Sequence, residues 1–161
     1  MRTVNQEHVD AVLELINQAP YFQLLNMDIQ ELGISHCKIE VKIERKHLNA
    51  FGGVHGGAYA SILDTAAYWA CYCEMEEDQG FITIDLDSDN LRAIDEGTLT
   101  VIGKTVKVGR NICLCEAEAR DEKGRLIATC KSKQFVGKEL QPISAAVESL
   151  GSKPLPPKFL D

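Results

Sequence analysis

Residues 47–73 read HLNAFGGVHGGAYASILDTAAYWACYC, and this stretch decides the fold. It begins as a glycine-rich loop and continues as a run of small and apolar residues. The single charge between Ala58 and Cys73 is Asp64. Such a run predicts a long helix that is apolar on nearly every face and therefore buried all round. We expect the rest of the chain to be arranged around this helix.

Asp64 is the residue of this helix that most needs an explanation. No Lys or Arg occurs between Phe51 and Leu91, so the carboxylate has no cation at helical spacing. Burial of an unpaired charge is unfavourable unless the pKa shifts or hydrogen-bond donors are found. A functional site is the favoured interpretation. The alternative is a carboxylate that caps a break in the helix, or one on a solvent-facing strip with Ser61 and Tyr68.

Composition bounds the class of protein. The chain has 161 residues, 45% of them hydrophobic, which predicts one compact domain over residues 1–161. A net charge of −7 argues against a general nucleic-acid binder. The N-terminus has no apolar run of signal-peptide length, and no stretch approaches the roughly 20 apolar residues of a membrane span. We expect a cytoplasmic protein that binds neither nucleic acid nor membrane.

The cysteines show no metal-binding spacing. Two pairs have C-x-C spacing and none has the C-x-x-C spacing typical of zinc ligands or redox pairs. We interpret them as reduced, apolar packing residues, and predict neither a metal nor a cofactor. The alternative is a metal site in which cysteines combine with His36 or His47. The six are Cys37, Cys71, Cys73, Cys113, Cys115 and Cys130.

The flanking sequence predicts helices first and strands later. Hydrophobic periodicity predicts an N-terminal helix over about residues 5–18, ended by Pro20, and one helical turn over residues 21–27. Alternation within residues 28–45 predicts a half-buried strand, with Gly33 at the turn before it. Strands are expected after the long helix, and the proline-rich tail is expected to be extended or loose. These strands cover residues 81–89, 98–108, 112–120 and 125–136, and the tail covers residues 138–161.

The strand over residues 81–89 carries a second polar feature. Strict alternation would place its apolar residues Ile82, Ile84 and Leu86 on one face. It would place Thr83, Asp85 and Asp87 on the other, which would then be polar or line a site.

One helix against a largely antiparallel sheet is an α+β layer arrangement. A long antiparallel sheet with a free edge invites pairing with a second copy. A dimer is therefore the natural expectation.

The motif N-x5-HGG-x6-D, which runs from Asn49 through His55 to Asp64 and precedes four strands, resembles the hotdog-fold acyl-CoA thioesterases. The likeness is greatest to their phenylacetate-pathway (PaaI-like) branch and covers residues from about 20 to 137. It implies a hotdog fold, in which an antiparallel sheet wraps around one long central helix. It also implies hydrolysis of an acyl-CoA to a carboxylic acid and free CoA, by a homodimer or a tetramer that is a dimer of dimers.

The resemblance also implies roles for individual residues. Asp64 would be the general base or nucleophile that drives water onto the thioester carbonyl. The backbone N–H of Gly57 would polarise the carbonyl oxygen, with Asn49 nearby to position or polarise. His55 would shape the loop and contact the thioester. Thr83 falls where these relatives use a Ser or Thr to orient the water.

Helix geometry limits how Gly57 and Asp64 can cooperate. Glycines at a helix N-terminus present free N–H donors to an oxyanion. Seven residues separate Gly57 from Asp64, which is roughly 10 Å along one helix. A donor and a base that act on one carbonyl must both lie about 3 Å from the reacting atoms. We therefore expect Gly57 of one subunit to act with Asp64 of the other.

An acyl-CoA enzyme needs cations for the CoA phosphates. The Arg110-Asn111 turn is the favoured site, although an ordinary solvated charge is the alternative for each single residue. The segment SDNLRAIDEG departs from the proline-containing loop of many relatives, and its neighbouring aspartates add negative charge near the expected site. The candidates for CoA or substrate binding are Asn90, Arg92, Gly109, Arg110, Asn111 and Lys131, with Lys133 as a further possibility on the last strand.

Two questions stay open at this point. The aromatic residues Tyr68, Trp69 and Tyr72 either line an acyl pocket or belong to the core. The function could also be that of a hotdog hydratase or dehydratase, with His55 and Asp64 as acid and base, or of a non-catalytic acyl-CoA-binding module.

Overall fold

The computed structural model describes residues 2–77 and 79–160 of the chain. Two 3₁₀ turns, Arg45–His47 and Tyr72–Glu74, lie between the longer elements. In chain order the elements are β1 (Thr3–Val4), α1 (Gln6–Ile16), α2 (Pro20–Leu25), β2 (Met27–Gly33), β3 (His36–Lys42), α3 (Gly56–Ala70), β4 (Gly80–Asn90), β5 (Thr98–Val108), β6 (Ile112–Arg120), β7 (Leu126–Gly137), α4 (Ile143–Ser149) and β8 (Phe159–Leu160).

Six of the strands form one antiparallel sheet in the order β2-β3-β5-β6-β7-β4. Helix α3 lies against one face and contacts all six strands. Inward-facing apolar residues pack beneath it, because successive side chains of a strand point to opposite faces. The α+β prediction, one long helix against an antiparallel sheet, is confirmed.

The helix lies unusually close to the sheet at one glycine. A Cβ atom placed on Gly103 of β5 would lie 2.0 Å from the carbonyl oxygen of Ala66. Only glycine leaves room for this contact between two backbones. The small side chains of Ala66 and Ala67 complete the close packing. The position of α3 on the sheet is therefore fixed at this point.

The predicted N-terminal helix is confirmed as α1, whose N-cap Asn5 accepts a hydrogen bond from the Glu7 N–H at 3.1 Å. The half-buried strand expected after the turn at Gly33 is confirmed as β3, whose inward residues Cys37, Ile39 and Val41 are buried. The prediction missed β2, which precedes that turn. The chain reverses between the two strands at Ser35, which has a positive φ of 54°. Cross-strand pairing of β2 with β3 then satisfies the backbone of both.

The predicted faces of β4 are also wrong. The pairing of β4 with β7 shifts register between Thr83 and Asp85, so Ile84 is the extra residue of a β-bulge. Thr83 faces inward before the bulge and Leu86 faces inward after it, whereas Ile82 and Ile84 are exposed. Strict alternation could not predict this, because the inserted residue reverses the inside–outside order of every residue that follows it.

The C-terminal tail is ordered rather than loose. Residues 143–149 form α4, and β8 pairs with β1 at the opposite end of the chain. Lys158 is buried, with 1% of its surface exposed. The prediction missed this structure because its contacts are made with residues distant in sequence. The terminal residues Met1 and Asp161, and Asp78 within the predicted turn before β4, lie outside the described residues.

Across residues 2–77 and 79–160, none of the helices combines the length and the apolar character that a membrane span requires.

Candidate active site

Helix α3 presents one partly accessible stripe along an otherwise buried surface. Gly57, Ser61, Asp64, Thr65 and Tyr68 lie at helical spacing along this stripe, and none of them is fully buried. Most of the remaining residues of the helix are buried against the sheet. The expectation of a helix buried all round is therefore not met within one chain. Asp64 does share a strip with Ser61 and Tyr68, as the alternative interpretation proposed.

Asp64 is nevertheless not an ordinary solvated carboxylate. Burial raises the pKa of its carboxyl group above the ordinary value of 3.8, and the Thr83 hydrogen bond partly offsets that rise. Thr83 donates its hydroxyl proton to Asp64 Oδ1 at 2.8 Å. Within the described part of the chain, no cation forms an ion pair with Asp64. The carboxylate is thus held at one oxygen, while Oδ2 remains available to a water molecule or a substrate.

A buried polar chain continues behind Thr83. Gln134 Nε2 donates to Thr83 Oγ1 at 3.4 Å and to Ser132 Oγ at 2.8 Å. Because Thr83 Oγ1 accepts from Gln134, its own proton is directed toward Asp64. Gln134 is fully buried, and its Oε1 is the one buried side-chain oxygen or nitrogen without a partner among the described residues. Gln134 therefore positions Thr83.

Sequence reasoning missed Gln134 and Ser132. The signal was present in the last strand, where Cys130, Ser132, Gln134 and Val136 alternate with exposed lysines. A polar residue in the inward-facing phase of a strand needs a hydrogen-bond partner.

The glycine loop places polar groups at the N-terminus of α3. His55 is the N-cap residue, and its Nδ1 accepts the Gly57 N–H at 2.8 Å. The exposed His55 ring therefore occupies the Gly57 N–H in this structure. Asn49 Oδ1 braces the loop by accepting from the Phe51 N–H at 2.8 Å and the Gly53 N–H at 3.4 Å. Among the described residues, nothing accepts from its side-chain amide N–H groups.

Asp64 and Gly57 belong to one uninterrupted helix, so the two groups cannot approach the same carbonyl within one chain. The chain runs so that α3 is antiparallel to β4. Asn90 lies beside the N-terminus of α3, since a Cβ on Gly56 would meet Asn90 Nδ2 at 2.9 Å. Thr83 is seven residues before Asn90 on β4, and it lies beside Asp64.

The predicted CoA-binding residues do not form one cluster within the chain. Arg92 follows Asn90 at the α3 N-terminus, where its carbonyl accepts from the Tyr59 hydroxyl at 3.3 Å. Gly109, Arg110 and Asn111 form the β5–β6 turn, and the Asn111 carbonyl accepts from the Val136 N–H near the opposite end of β4. The fold therefore places Asn90 and Arg92 at the N-terminus of α3, and it places the β5–β6 turn near the opposite end of β4.

Lys131 and the neighbouring aspartates lie on the outer face of the sheet, away from Asp64. Lys131 is opposite Asp87, and Lys133 Nζ contacts Asp85 Oδ2 at 2.9 Å. The expectation that these aspartates would add negative charge to the site is therefore wrong. The bulge at Ile84 turns them outward, and the lysines of β7 offset their charge.

Three cysteines could hold a soft metal ion by spacing alone. The sulfur atoms of Cys71, Cys113 and Cys115 all lie within 4.8 Å of one another and are buried. The two histidines considered for a metal site have other contacts. His36 Nε2 contacts Glu31 at 3.0 Å, and both ring nitrogens of His47 are within hydrogen-bond distance of backbone groups.

The Thioesterase superfamily matches residues 51–128, and a family described as a domain of unknown function matches residues 10–87. The proofreading thioesterase EntH of Klebsiella pneumoniae is 26% identical over 113 residues, which cover 66% of this chain and 82% of EntH.

Solved structures give the same fold. A thioesterase from Haemophilus influenzae has a TM-score of 0.75 and 20% sequence identity, over 82% of this chain and 92% of that one. A mutant thioesterase from Pseudomonas aeruginosa has a TM-score of 0.72 and 15% identity, over 77% of this chain and 90% of that one. The match over residues 51–128, the related thioesterase sequence and the shared fold together indicate the hotdog-fold thioesterase superfamily. This similarity supports thioester hydrolysis in general terms.

Proposed function

We propose that this protein is an acyl-CoA thioesterase that releases a carboxylic acid and free CoA. The observation that carries the proposal is the environment of Asp64. No cation in the described part of the chain pairs with this carboxylate, Thr83 holds one of its oxygens, and the other oxygen is open. Such a group is more basic than an ordinary aspartate, because burial raises its pKa. A more basic carboxylate with a free oxygen suits a general base.

In the proposed reaction, Asp64 takes a proton from water as the water oxygen attacks the thioester carbonyl carbon. Thr83 and Gln134 keep the carboxylate oriented while this happens. The tetrahedral intermediate then expels the thiolate of CoA, which accepts the proton that Asp64 took from water and leaves as free CoA. The carbonyl oxygen gains negative charge during the attack, and a backbone N–H at a helix N-terminus is suited to stabilise it.

That donor is the Gly57 N–H of a second subunit. A substrate oxygen replaces His55 Nδ1 as its acceptor when the exposed imidazole rotates away. Asn49 lies in the same loop and offers its amide N–H groups to the thioester. Because about 10 Å of helix separates Gly57 from Asp64, the two act together only across a dimer interface.

Strand β4 supplies the edge for such a dimer. It ends the six-stranded sheet, and the described residues leave its outer edge unpaired. Antiparallel pairing of two β4 strands about a two-fold axis near Leu86 would bring the Asn90 end of one copy close to Thr83 of the other. The partner's Gly57 would then lie near Asp64. Asp85 and Asp87 of both copies would meet on the outer face, where the β7 lysines offset their charge.

The same pairing assembles the separated CoA candidates. Asn90 and Arg92 of one subunit would approach the β5–β6 turn of the other, which contributes Arg110 and Asn111. Guanidinium groups bind phosphate oxygens through paired, charge-assisted hydrogen bonds. CoA would therefore lie along the dimer seam, with its phosphates at these arginines. Lys131 lies on the far face of the sheet and has no role in this arrangement.

The test is chromatographic detection of free CoA from aryl, short-chain, medium-chain and long-chain acyl-CoA substrates. Asp64→Asn should lower kcat by about a hundredfold or more, since a positioned general base contributes roughly 10²–10⁴-fold. Asp10→Asn makes the same chemical change on an exposed helix and should leave kcat unaltered.

Full turnover by a well-folded Asp64→Asn dimer would contradict the mechanism. Tight binding of CoA esters without CoA release from any substrate would instead identify a binding module.

A further inference from the structure

A cavity lies one helical turn beyond Asp64. Its volume is about 330 Å³, and it opens between the C-terminal end of α3, the start of β4 and helix α4. Its inner wall is aromatic, and α4 contributes Ile143, Ala145 and Ala146 to the opposite wall. Asp64 and Thr83 do not line it. The cavity is therefore close to the proposed catalytic carboxylate but separated from it.

Tyr68 and Phe81 form the separating wall. Tyr68 is four residues after Asp64 on the same stripe of α3, and Phe81 is two residues before Thr83 on the same inward face of β4. The two rings stack with centroids 4.2 Å apart. Both residues border the cavity. An acyl chain that extends from a thioester at Asp64 along α3 would meet this ring pair before it reached the cavity.

Tyr68 is held at several points and does not turn aside easily. Its hydroxyl donates to the Phe81 carbonyl oxygen at 3.0 Å, and its ring also contacts Trp69 edge-on at 5.3 Å. Rotation of the ring would break the hydrogen bond and both aromatic contacts. The wall is therefore fixed rather than a mobile gate.

One side of the cavity behind the wall is built by a part of the chain outside the thioesterase match. That match ends at residue 128, whereas α4 spans Ile143–Ser149. The tail that follows α4 is anchored through Lys158 to the carbonyls of Tyr72 and Met75. The C-terminal segment thus forms one wall of the space on the far side of Tyr68.

We propose that the Tyr68–Phe81 pair is the floor of the acyl subsite and sets its length, so that the enzyme selects short or compact acyl groups. This inference rests on the proposed thioesterase function. The cavity under α4 then becomes an extension of the acyl subsite when the Tyr68 ring is removed. Tyr68 is a specificity-determining residue in this account, and Ala146 borders only the cavity.

The experiment measures kcat/KM for CoA release with acyl chains of increasing length, in four proteins. They are the wild type, Tyr68→Ala, Ala146→Trp and the double variant. Tyr68→Ala should raise the ratio of long-chain to short-chain kcat/KM at least tenfold, because each newly buried methylene contributes about fourfold. Ala146→Trp should leave the wild-type profile unchanged, yet it should reverse the gain in the double variant by refilling the cavity.

Tyr68→Phe is the control, since it keeps the ring and removes only the hydroxyl, and its profile should match the wild type. If Tyr68→Ala does not fold, Tyr68→Leu opens less space and should produce a smaller shift in the same direction. An unchanged chain-length profile in a folded Tyr68→Ala protein would overturn the inference. A lower long-chain kcat/KM in Ala146→Trp than in the wild type would also overturn it, because the wild type would then already use the cavity. Absence of CoA release from every substrate would instead overturn the proposed function, and this inference with it.

Discussion

Asp64 and Lys158 both carry an ionisable group into the protein, and neither side chain forms an ion pair within the described residues, yet their surroundings differ. Lys158 Nζ donates to the carbonyls of Tyr72 and Met75 and lies 3.9 Å from the centroid of the Tyr72 ring. Asp64 accepts one hydrogen bond from Thr83 and keeps its second oxygen open. The lysine ammonium group is engaged by the protein and acts as a structural anchor. The aspartate has one oxygen free to bind water or substrate.

The two groups also respond differently to burial. Burial lowers the pKa of Lys158 from 10.5 to about 8, and burial raises the pKa of Asp64. In each case the charged form is disfavoured. A shifted pKa alone therefore does not identify a functional site. A functional group is distinguished from a structural one by the hydrogen-bonding capacity that it leaves unused.

The largest effect on stability is expected at Lys158. Lys158→Ala would leave two buried carbonyls without donors and remove the packed alkyl chain, so the free energy of unfolding should fall by about 3 kcal/mol. Denaturant titration measures this change. Activity per folded molecule should stay close to that of the wild type, because the anchor lies apart from Asp64.

Lys153→Ala is the matched control, since Lys153 lies exposed in the same tail and its loss should be nearly neutral. The wild-type advantage over Lys158→Ala should grow between pH 8 and pH 10.5. In that range the unfolded chain holds the lysine proton and the folded chain has released it, so wild-type stability rises with pH. A deficit that shrinks over this range would contradict the assignment of Lys158.

A middle-sized effect is expected at Gln134. Gln134→Met keeps the volume but removes the donor to Thr83, so the Thr83 proton is less firmly directed at Asp64. We expect kcat to fall roughly tenfold, or about 1.4 kcal/mol. The acid limb of the pH–rate profile should also move to higher pH, because the ionised form of Asp64 loses support.

Gln30→Met, on the exposed face of β2, makes the same substitution where no site is near and should change neither quantity. If Gln134→Met lowers stability but leaves the acid limb in place, Gln134 is a packing residue only.

The smallest effect is a gain in stability. Asp64→Asn should raise Tm slightly at pH 7, since the buried charge is removed and the amide oxygen still accepts from Thr83. The folded pKa of Asp64 lies above the ordinary 3.8, so wild-type stability declines as pH rises through that raised pKa. The advantage of Asp64→Asn should therefore shrink as pH falls toward 3.8. Thermal unfolding at several pH values measures it, and a variant less stable than the wild type at pH 7 would contradict this account.

Local patterns predicted the helix around Asp64 and most of the sheet, because apolar periodicity reports directly on which face of an element is buried. The same patterns failed at Ile84, where one extra residue reverses the alternation. They also failed for the tail, whose order depends on contacts between Lys158 and residues more than 80 positions earlier. Asp64 could be singled out because it is one charge in an apolar helix. Gln134 could not be separated from the lysines beside it until the strand faces were known.

Subunit mixing is the most direct test of the central claim that two chains share each active site. Asp64→Asn removes the base, and Gly57→Pro removes the donor N–H in the first turn of α3, where proline is tolerated. Each homodimer should be inactive. After the two variants are unfolded together and refolded at equal concentration, half of the dimers combine them and carry one intact site of two. About a quarter of wild-type activity should therefore return if each site of the two-fold dimer draws on both chains. A refolded mixture that contains mixed dimers and stays inactive would contradict the shared site.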